Sequence, residues 1–426
     1  MNTAAQQAIA LLQQGRVQEA EQAFERVLAS EPAHLQALNV LALGALRDGR
    51  TAHALELAGR AVAAAPADAM SHHHLAQARL AQGDSAGAIE NWREAVRLRP
   101  DFHVARLHLG TALQRAGDET GAVVQLARAL QDAQRAGRWI DARSTPAALR
   151  PQIEQAVATV RRGSRAAFER VLEPLTAEYG AAALQRVRDG LAIYLNERPP
   201  VYPDPRQQPT FFYVPGLPTM PYIDASQLPW VPAFEACYPA IRAELEQVLP
   251  ATHQAERVFH TDALERANLR GTRGADPGWT GFYFYRHGER REDNCRSCPR
   301  TAAALDELPL CRIRGHGPEV LFSVYTPGTH LPGHRGVTNT RLTSHLPPIV
   351  PEDCALDVGG ELHEWKEGRV VVFDDSYEHE SWNRSDEVRV VLIYDIWNPY
   401  LTPEERAAVG RLVEEIGEFR HATEAA

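Results

Sequence analysis

The spacing of hydrophobic residues divides the chain into a helical first part and a strand-rich last part. Up to about residue 196, apolar residues recur at intervals of three and four, as in EAEQAFERVLASEP, which places them on one face of a helix. From Trp279 onward, short runs such as GFYFYRHG, EVLFSVYTPG and RVVVFDD are rich in β-branched and aromatic residues and end at turn-forming residues. We therefore expect an α-helical N-terminal part and a β-rich C-terminal part.

An internal repeat of 34 residues organises the helical part. Three residue types recur in phase at this step: glycines at 15, 49, 83 and 117, alanines at 20, 54, 88 and 122, and prolines at 32, 66 and 100. Glycine permits the turn between two antiparallel helices, and proline begins the next unit. A single long amphipathic helix is the alternative, but its interior would carry repeated Gly and Pro. The pattern resembles the tetratricopeptide repeat, which implies an α-solenoid that grips a protein or peptide partner.

The composition changes twice after the repeats. The last unit lacks the proline, so we expect the stack to end near residue 134. Residues 135–200 have a helical pattern without a repeat, which indicates a helical connector or an oligomerisation segment. The stretch RPPVYPDPRQQPTFFYVPGLPTMPYIDASQLPWVP excludes regular helix and begins a new domain. The many short strands of residues 201–426 predict a double-stranded β-helix of the jelly-roll or cupin type, followed by a C-terminal helix capped by Thr402. The predicted domains are therefore 1–134, 135–200 and 201–426.

Composition and charge exclude several classes of protein. The chain has 44% hydrophobic and 23% charged residues, as in soluble globular proteins, and its net charge of -10 argues against a nucleic-acid binder. No run of about 18 apolar residues occurs, so no membrane span is expected. The N-terminus MNTAAQQAIALLQQG lacks the features of a signal peptide, and the 5 cysteines do not form a disulfide scaffold. We expect a reduced, cytoplasmic protein, and the sequence leaves its oligomeric state open.

Two histidine-bearing segments of the β-rich part are candidates for a metal site. PGTHLPGHRGVTNTRLTSHL contains His330, His334 and His345, and FDDSYEHESW contains His379. Histidines from separate strands of a jelly roll can converge on one metal, and imidazole suits iron. Arg389 follows in the strand EVRVVLIYD, and a buried arginine there needs an anion, which a dicarboxylate would supply.

Three segments together resemble the catalytic domain of the aspartyl/asparaginyl β-hydroxylases. They are PGTHLPGHRGVTNTRLTSHL, GRVVVFDDSYEHESWN and RVVLIYDIWNP, and the resemblance extends over about Gln207 to Glu404. Animal members of this family also carry tetratricopeptide repeats before the domain. The resemblance implies a double-stranded β-helix with Fe(II), with 2-oxoglutarate as co-substrate and with O₂ as oxidant. The implied reaction couples the oxidative decarboxylation of 2-oxoglutarate to hydroxylation of an unactivated C–H bond.

The resemblance also implies a set of metal ligands. His334 matches the first metal histidine of the family and His379 the second. Most 2-oxoglutarate oxygenases place an acid two residues after the first histidine, where this chain has Gly336. Members of the family similarly lack that carboxylate. Asp374 and Asp375 are near His379 in the sequence, but we interpret both as residues that hydrogen-bond within a turn.

Co-substrate and substrate positions follow from the same resemblance. Arg389 matches the residue that pairs with the distal carboxylate of 2-oxoglutarate, and Ser323 matches a hydroxyl that assists it. His345 matches a residue near the other end of the co-substrate. Arg341 matches a position lining the substrate pocket, where it would face an acidic side chain. The chain departs from the pattern at Thr343, where a second arginine is expected, so co-substrate geometry and substrate identity carry over less firmly than the metal ligands.

Other metal-binding residue types in the chain have simpler interpretations. His330 and His363 have no partner at ligand spacing, so we interpret them as structural. The run His72–His74 cannot converge on one ion, because consecutive helical residues point about 100° apart, and we expect surface and groove positions. Cys295–Cys298 is a CxxC without a suitable fourth zinc ligand, so a loop disulfide or free thiols are expected.

Three functions are compatible with the sequence. The leading hypothesis is a dioxygenase that hydroxylates the β-carbon of an aspartyl or asparaginyl residue in a protein or peptide recruited by the repeats. The second keeps the chemistry but acts on a free or carrier-bound amino acid or on a lipid acyl chain. The third is an interaction scaffold with an inactive oxygenase domain, and the presence of His334, His379 and Arg389 counts against it.

Overall fold

A computed structural model of the chain describes residues 3–252, 256–257 and 278–426. These residues form two units, Met1–Ala167 with Phe419–Ala426, and Phe168–Glu418. The sequence-based division into 1–134, 135–200 and 201–426 stays a prediction.

The described helices are α1 Thr3–Gln13, α2 Val17–Ser30, α3 Leu35–Arg47, α4 Thr51–Ala64, α5 Ala69–Ala81, α6 Ser85–Leu98, α7 His103–Arg115, α8 Glu119–Arg135, α9 Arg150–Tyr179, α10 Gln185–Tyr194, α11 Val231–Ala236, α12 Tyr238–Thr252, α13 Glu292–Ser297, α14 Pro299–Asp306 and α15 Pro403–Ala425, with short 3₁₀ turns at Ala147–Leu149, Ala182–Leu184 and Ala225–Gln227. The described strands are β1 Tyr222–Ile223, β2 Glu256–Arg257, β3 Trp279–Arg286, β4 Glu289–Arg290, β5 Val320–Tyr325, β6 His330–His334, β7 Arg341–Ile349, β8 Cys354–Val358, β9 Glu361–Glu364, β10 Val371–Phe373, β11 His379–Asn383 and β12 Arg389–Trp397.

The helices α1 to α8 form four consecutive helix pairs in the first unit, each in phase with the 34-residue period. The four repeated glycines lie between the two helices of each pair, with φ between 72° and 88°, a conformation that favours glycine. The four repeated alanines are fully buried, where a larger side chain would separate the helices. The helical repeat that the period predicts is confirmed.

The run His72–His74 differs from its expected surface position. His73 and His74 are buried, because α5 has helices packed on several sides and therefore buries most of its circumference. The indole Nε1 of Trp92 donates to Nδ1 of His73 at 3.2 Å, and Nδ1 of His74 lies 3.2 Å from Oδ1 of Asn39. The expectation of exposed residues is therefore wrong for these two histidines.

Buried histidines make the stability of the first unit depend on pH. Burial lowers the pKa of His73 to about 2 and the pKa values of His74 and His108 to about 4, from an ordinary 6.5. Between about pH 6.5 and pH 4 the unfolded chain binds more protons than the folded one, so stability is lost as the pH falls through this range. We expect the midpoint temperature of thermal unfolding of this unit to fall by roughly 5 °C or more for each unit by which the pH is lowered in this range.

Hydrogen exchange of α5, corrected for the intrinsic effect of pH on exchange, measures this loss locally. The variant His74→Gln should reduce the pH dependence, whereas His53→Gln, at an exposed position, should leave it unchanged. Equal protection of α5 at pH 7 and pH 5 would contradict the prediction.

Two antiparallel sheets form the centre of the second unit. Along the larger sheet the strand order is β1-β10-β7-β12-β5-β3-β2, with β4 paired to β3, and the smaller sheet has the order β6-β11-β8-β9. Among the described strands, β3, β5, β7, β8, β9, β10 and β12 correspond to runs that the sequence predicts after Trp279. The non-sequential order of the strands brings distant segments together. The coarse prediction of a helical part followed by an antiparallel β part is confirmed.

The larger sheet separates two apolar clusters. One face carries residues such as Phe322, Leu392 and Leu342, which pack with apolar residues of α11, α12 and α14. The opposite face, called the inner face below, contributes Val391 and Phe373 to a second cluster that includes residues of β8 in the smaller sheet. Because side chains alternate along each strand, the inner face also carries every second residue of β5, β7 and β12.

The last helix begins as its sequence predicts. The backbone N–H of Glu405 donates to Oγ1 of Thr402 at 3.3 Å, and the N–H of Thr402 donates to Oε2 of Glu405 at 3.0 Å. This reciprocal pair is a capping box, which satisfies backbone donors at the start of α15. Among the helices of the described residues, none combines the length and the apolar character needed to cross a membrane.

Candidate functional site

Two histidines face each other across neighbouring strands of the smaller sheet. His334 on β6 pairs directly with His379 on β11, and the ring centroids are 4.1 Å apart. The pairing shifts register by one residue, because two residues of β6, Pro332 and Gly333, lie opposite Glu380 alone. This bulge turns His334 to the same face as the buried Leu331, three residues earlier.

Backbone hydrogen bonds orient both imidazoles in the same way. Nδ1 of His334 lies 3.0 Å from the carbonyl oxygen of Pro332, and Nδ1 of His379 lies 3.1 Å from that of Tyr377. A carbonyl accepts only from a protonated ring nitrogen, so each Nε2 keeps its lone pair. Burial lowers the pKa of His334 to about 4 and also lowers that of His379. Both rings are therefore neutral near pH 7 and able to bind a cation.

A buried arginine lies at the other end of a row of ring contacts. From His379 the row runs to Phe373 (5.6 Å), to His345 (5.0 Å) and to Trp365 (5.7 Å), and the Arg389 guanidinium lies 5.0 Å from the Trp365 ring. Arg389 is 1% exposed. The structure thus brings both predicted metal histidines, His345 and Arg389 into one interior.

Arg389 has aromatic neighbours but no counter-ion in the described part of the chain. Its guanidinium carbon lies 3.6 Å from the Tyr325 ring centroid, and among the described residues no carboxylate forms an ion pair with it. Its Nε is buried without a hydrogen-bond partner, and burial lowers its pKa. An uncompensated buried guanidinium is costly, so this position is suited to an anionic ligand.

Ser323 and His345 lie on the same inner face as Arg389. Ser323 is next but one to Tyr325 on β5, and its Oγ accepts a hydrogen bond from Nε1 of Trp279 at 3.0 Å. Nδ1 of His345 is buried without a partner. Burial and then the Arg389 charge place the pKa of His345 well below its usual value, so its imidazole is neutral.

Arg341 lies on the same face, opposite Trp397, which is eight strand positions away from Arg389 along β12. Its Nη1 donates to Oδ2 of Asp395 at 2.7 Å, and the two side chains are 18% and 5% exposed. Asp395 pairs with Thr343 across β7 and β12. The structure therefore gives Arg341 a carboxylate partner within the chain itself, which sequence reasoning did not include.

The two neighbouring aspartates before His379 behave differently. Asp374 accepts from the N–H and the hydroxyl of Ser376 at 2.9 and 2.6 Å, so the predicted turn hydrogen bonding is confirmed for it. The carboxylate of Asp375 instead lies against the Cα of Gly336, where burial raises its pKa to about 6. The turn interpretation of Asp375 is wrong, because the pairing of β6 with β11 brings this side chain beside the Gly336 backbone.

Gly336 has no room for a side chain. A Cβ there would collide with the Asp375 carboxylate. The backbone carbonyl oxygen of Asp375 also accepts a hydrogen bond from the Gly336 N–H at 2.6 Å. We expect Gly336→Ala to destabilise the protein by about 1–3 kcal/mol, as overpacking does, and to weaken binding of the metal ion that the sequence predicts at His334 and His379. Thermal unfolding and metal titration measure the two effects.

A matched control is Gly333→Ala in the same segment, since the atoms nearest to a Cβ at that position belong to the Glu378 side chain, at 3.2 Å or more. The double variant Gly336→Ala/Asp375→Ala should recover most of the lost stability, because it removes the group that the new Cβ meets. A Gly336→Ala protein as stable as the parent would contradict the steric argument.

The CxxC segment belongs to the apolar core of the second unit. All five cysteines are free thiols, and Cys295 and Cys298 are buried in the cluster on the outer face of the larger sheet. Burial raises the pKa of Cys298 to about 12, which suppresses thiolate formation. Free thiols, one of the two expected states, are therefore what the structure has.

Comparisons with known proteins agree with the position of this site. Residues 235–399 match the family model described as aspartyl/asparaginyl beta-hydroxylase, and residues 6–69 and 74–138 match a tetratricopeptide repeat model. Aspartate beta-hydroxylase domain-containing protein 2 of Rattus norvegicus is 32% identical over 246 residues, which are 56% of this chain and 68% of that protein. The chain belongs to the aspartyl/asparaginyl beta-hydroxylase family. The histidine pair and Arg389 all lie within the matched residues.

Two further relatives of this hydroxylase family differ in their named substrates. The ornithine lipid ester-linked acyl 2-hydroxylase of Rhizobium tropici is 39% identical over 186 residues, 43% of this chain and 62% of that protein. The aspartyl/asparaginyl beta-hydroxylase of Homo sapiens is 38% identical over 135 residues, 31% of this chain and 17% of that protein. The chain thus spans less than two thirds of either relative, so their activities are a basis for proposals about this chain.

Sequence reasoning missed the residues that surround the predicted ones. Trp365, Phe373 and Tyr325 line the path from the histidines to Arg389, and Asp395 neutralises Arg341. Trp365 stands in ELHEWKEG without any chemical motif, and its position follows only from the packing of the two sheets. The one available signal was alternation, which places Asp395 on the same face of β12 as Arg389.

Proposed function

We propose that the chain is an Fe(II)- and 2-oxoglutarate-dependent dioxygenase that hydroxylates the β-carbon of an aspartyl or asparaginyl residue in a protein or peptide. One observation carries the proposal: two neutral imidazoles 4.1 Å apart share an interior with a buried guanidinium that has no carboxylate partner among the residues that the structure describes. We further propose that the two sheets form the double-stranded β-helix of such enzymes and that the protein acts in the cytoplasm, for which the five free thiols are suited.

The donor set fits iron. Nε2 of His334 and of His379 would bind the metal, each ring being fixed through its other nitrogen by a backbone carbonyl. Within the described ranges, no group of three or more His, Cys, Asp or Glu side chains could hold a metal ion. A pair of imidazoles leaves several coordination positions for O₂ and 2-oxoglutarate. When bound, iron supplies the activation of O₂ that oxidises an unactivated C–H bond.

The co-substrate fits Arg389. The guanidinium would bind the distal carboxylate of 2-oxoglutarate through paired hydrogen bonds, which removes the penalty of an uncompensated buried charge. Ser323, on the same face, would donate its hydroxyl to the same carboxylate. His345, whose Nδ1 lacks a partner, lies between Arg389 and the histidine pair, near the other end of the co-substrate. These three residues bind and orient the co-substrate.

Aromatic side chains around this row keep water out. Trp365, Phe373 and Tyr325 are each at most 6% exposed. Tyr325 also joins the two sheets, since its hydroxyl lies 3.1 Å from Oγ of Ser381 on β11. An enclosed apolar wall strengthens the ionic contacts of Arg389 and limits side reactions at the metal.

The repeats support a polypeptide substrate. A cavity of about 480 Å³ in the first unit is lined by apolar and polar side chains, among them Trp92, His108, Arg115 and Gln152. Stacked helical repeats present such concave surfaces to peptides and proteins. We propose that this surface recruits the substrate and that hydroxylation takes place at the site formed by His334 and His379.

The test is an anaerobic titration with Fe(II), followed by 2-oxoglutarate turnover with and without a library of Asp- and Asn-containing peptides. Saturable iron binding and 2-oxoglutarate consumption without peptide are the expected results for an enzyme. Stimulation by peptides together with a peptide that gains one oxygen atom identifies the substrate class. Absence of any 2-oxoglutarate consumption would favour the scaffold hypothesis and overturn the proposal.

A second candidate keeps the chemistry and changes the substrate to a lipid acyl chain. The 39% identity to the Rhizobium tropici acyl 2-hydroxylase favours it. In the same turnover assay, stimulation by an acylated lipid but by no peptide would select this candidate.

A further inference from the structure

Charged groups on the inner face of the larger sheet lie at two separate ends. Arg389 begins β12, and Asp395 lies six residues later on the same strand, a separation of about 20 Å along an extended chain. The co-substrate, on the proposed function, takes Arg389. A substrate group beyond the histidine pair therefore meets the end that holds Asp395 and Arg341.

The charge of Arg341 is already compensated. Its guanidinium donates to Asp395 at 2.7 Å, and both side chains are largely buried. The backbone N–H of Glu319 donates to the same Asp395 oxygen at 3.0 Å, which holds the carboxylate in place. Thr343, between Arg341 and His345 on this face of β7, contributes a hydroxyl and no charge. The Asp375 carboxylate also faces Arg341 and accepts a hydrogen bond from Thr343. A substrate carboxylate brought to Arg341 would therefore meet Asp395 and Asp375 without a counter-ion of its own.

Neighbouring arginines do not supply that counter-ion. Arg335, next to His334 in the sequence, pairs with Glu378 at 2.9 Å. Arg206, whose guanidinium lies over the Tyr377 ring, pairs with Asp204 at 2.8 Å. Around the described part of this interior, each of these arginines therefore has a carboxylate partner, and Arg389 does not.

A neutral amide matches the hydrogen-bond donors and acceptors that remain near Arg341. Nε of Arg341 is buried without a partner and would donate to an amide oxygen. The Thr343 hydroxyl and Asp395 can accept from the amide nitrogen, which carries two hydrogens. We infer that the side chain docking beside Arg341 is the carboxamide of asparagine, and that Asp395 selects it over the carboxylate of aspartate. This inference rests on the proposed function and narrows its substrate class.

The experiment compares two peptide libraries that differ only in a central Asn or Asp, using the full chain with Fe(II), 2-oxoglutarate and O₂. We expect kcat/KM for the Asn library to exceed that for the Asp library by about tenfold or more, because burying a carboxylate without a partner is costly. The affinity of the metal-free protein for the same libraries, measured by fluorescence anisotropy, should follow the same order.

Two variants change the charge by different routes. Asp395→Asn keeps an acceptor oxygen and frees the Arg341 charge, and Thr343→Arg adds a cation to the same face. Each should lower the Asn-to-Asp ratio by about tenfold, whereas Glu352→Gln, which removes an exposed carboxylate, should not. If one variant fails to fold, the other still tests the inference.

The outcomes separate this inference from the proposed function. Equal use of both libraries, preference for Asp, or an unchanged ratio in both variants would overturn the inference while peptide hydroxylation stands. Modification of a lipid acyl chain and of neither library would overturn the inference and leave the oxygenase chemistry. Failure of the unmodified protein to consume 2-oxoglutarate would overturn the proposed function itself.

Discussion

Replacement of His334 or His379 by alanine is expected to lower 2-oxoglutarate turnover by at least about 100-fold. Changes to the groups that merely orient a metal ligand cost roughly 10–100-fold in affinity or activity, so removal of one of two ligands should exceed that range. The chain offers two imidazoles at this point, and no third metal-binding side chain joins them among the described residues. Fe(II) titration under anaerobic conditions and 2-oxoglutarate consumption measure the loss.

His330 provides the matched control. It lies on the same strand as His334, but its Nε2 is 2.8 Å from Glu380 and its ring stacks edge-on with Trp382. His330→Ala should therefore bind iron with nearly the affinity of the parent. Substantial turnover by either His334→Ala or His379→Ala, or loss of iron in His330→Ala alone, would refute the assignment of the metal ligands.

Arg389→Met is expected to raise the KM for 2-oxoglutarate by about 100-fold. Loss of one partner of a buried charge pair costs roughly 2–5 kcal/mol. Arg341, the other arginine described on this face, lies at the far end of the sheet and is paired with Asp395, so it would not replace Arg389. Methionine fills similar volume without charge, so the folded protein no longer buries an uncompensated guanidinium. Thermal stability in the absence of co-substrate should accordingly stay equal or rise. Steady-state kinetics that separate kcat from KM, with a thermal unfolding curve, provide both readouts.

Arg384→Met serves as the control for a guanidinium on an aromatic ring. Arg384 lies over Trp382 at 4.3 Å but is exposed, so its removal should change neither KM nor stability appreciably. An unchanged KM in Arg389→Met would show that the co-substrate carboxylate binds elsewhere.

The helical part was predictable because its information is local and repeated. Gly15 and the equivalent glycines of the other three repeats all have positive φ values. A single such glycine would not have predicted a repeat, whereas four at a constant spacing do. The strands after Trp279 were predictable from their composition and turn residues. The pairing of the strands was not predictable, because the smaller sheet joins β6 to β11 and β11 to β8, which are far apart in the sequence.

The residues of the candidate site also fall into a predictable group and an unpredictable group. His334, His379 and Arg389 stand in motifs, so the sequence was enough to select them. Asp395 carries no motif of its own, and its bond to Arg341 depends on β12 lying beside β7. Likewise the buried His74 could not be told from a surface histidine, because its environment is set by the number of helices packed around α5. Long-range packing determines the burial and contacts of such residues, and this packing cannot be inferred from a single sequence.

The extra residue in β6 resets the phase of that strand. Strict alternation from Leu331 would send the side chain of His334 to the opposite side of the sheet from His379, and the doubled step through Pro332 and Gly333 cancels that offset. The Pro-Gly pair thus decides whether the two imidazoles meet, although its own side chains offer no ligand. A search for similar centres that assumes an even spacing between inward residues would pass over this chain.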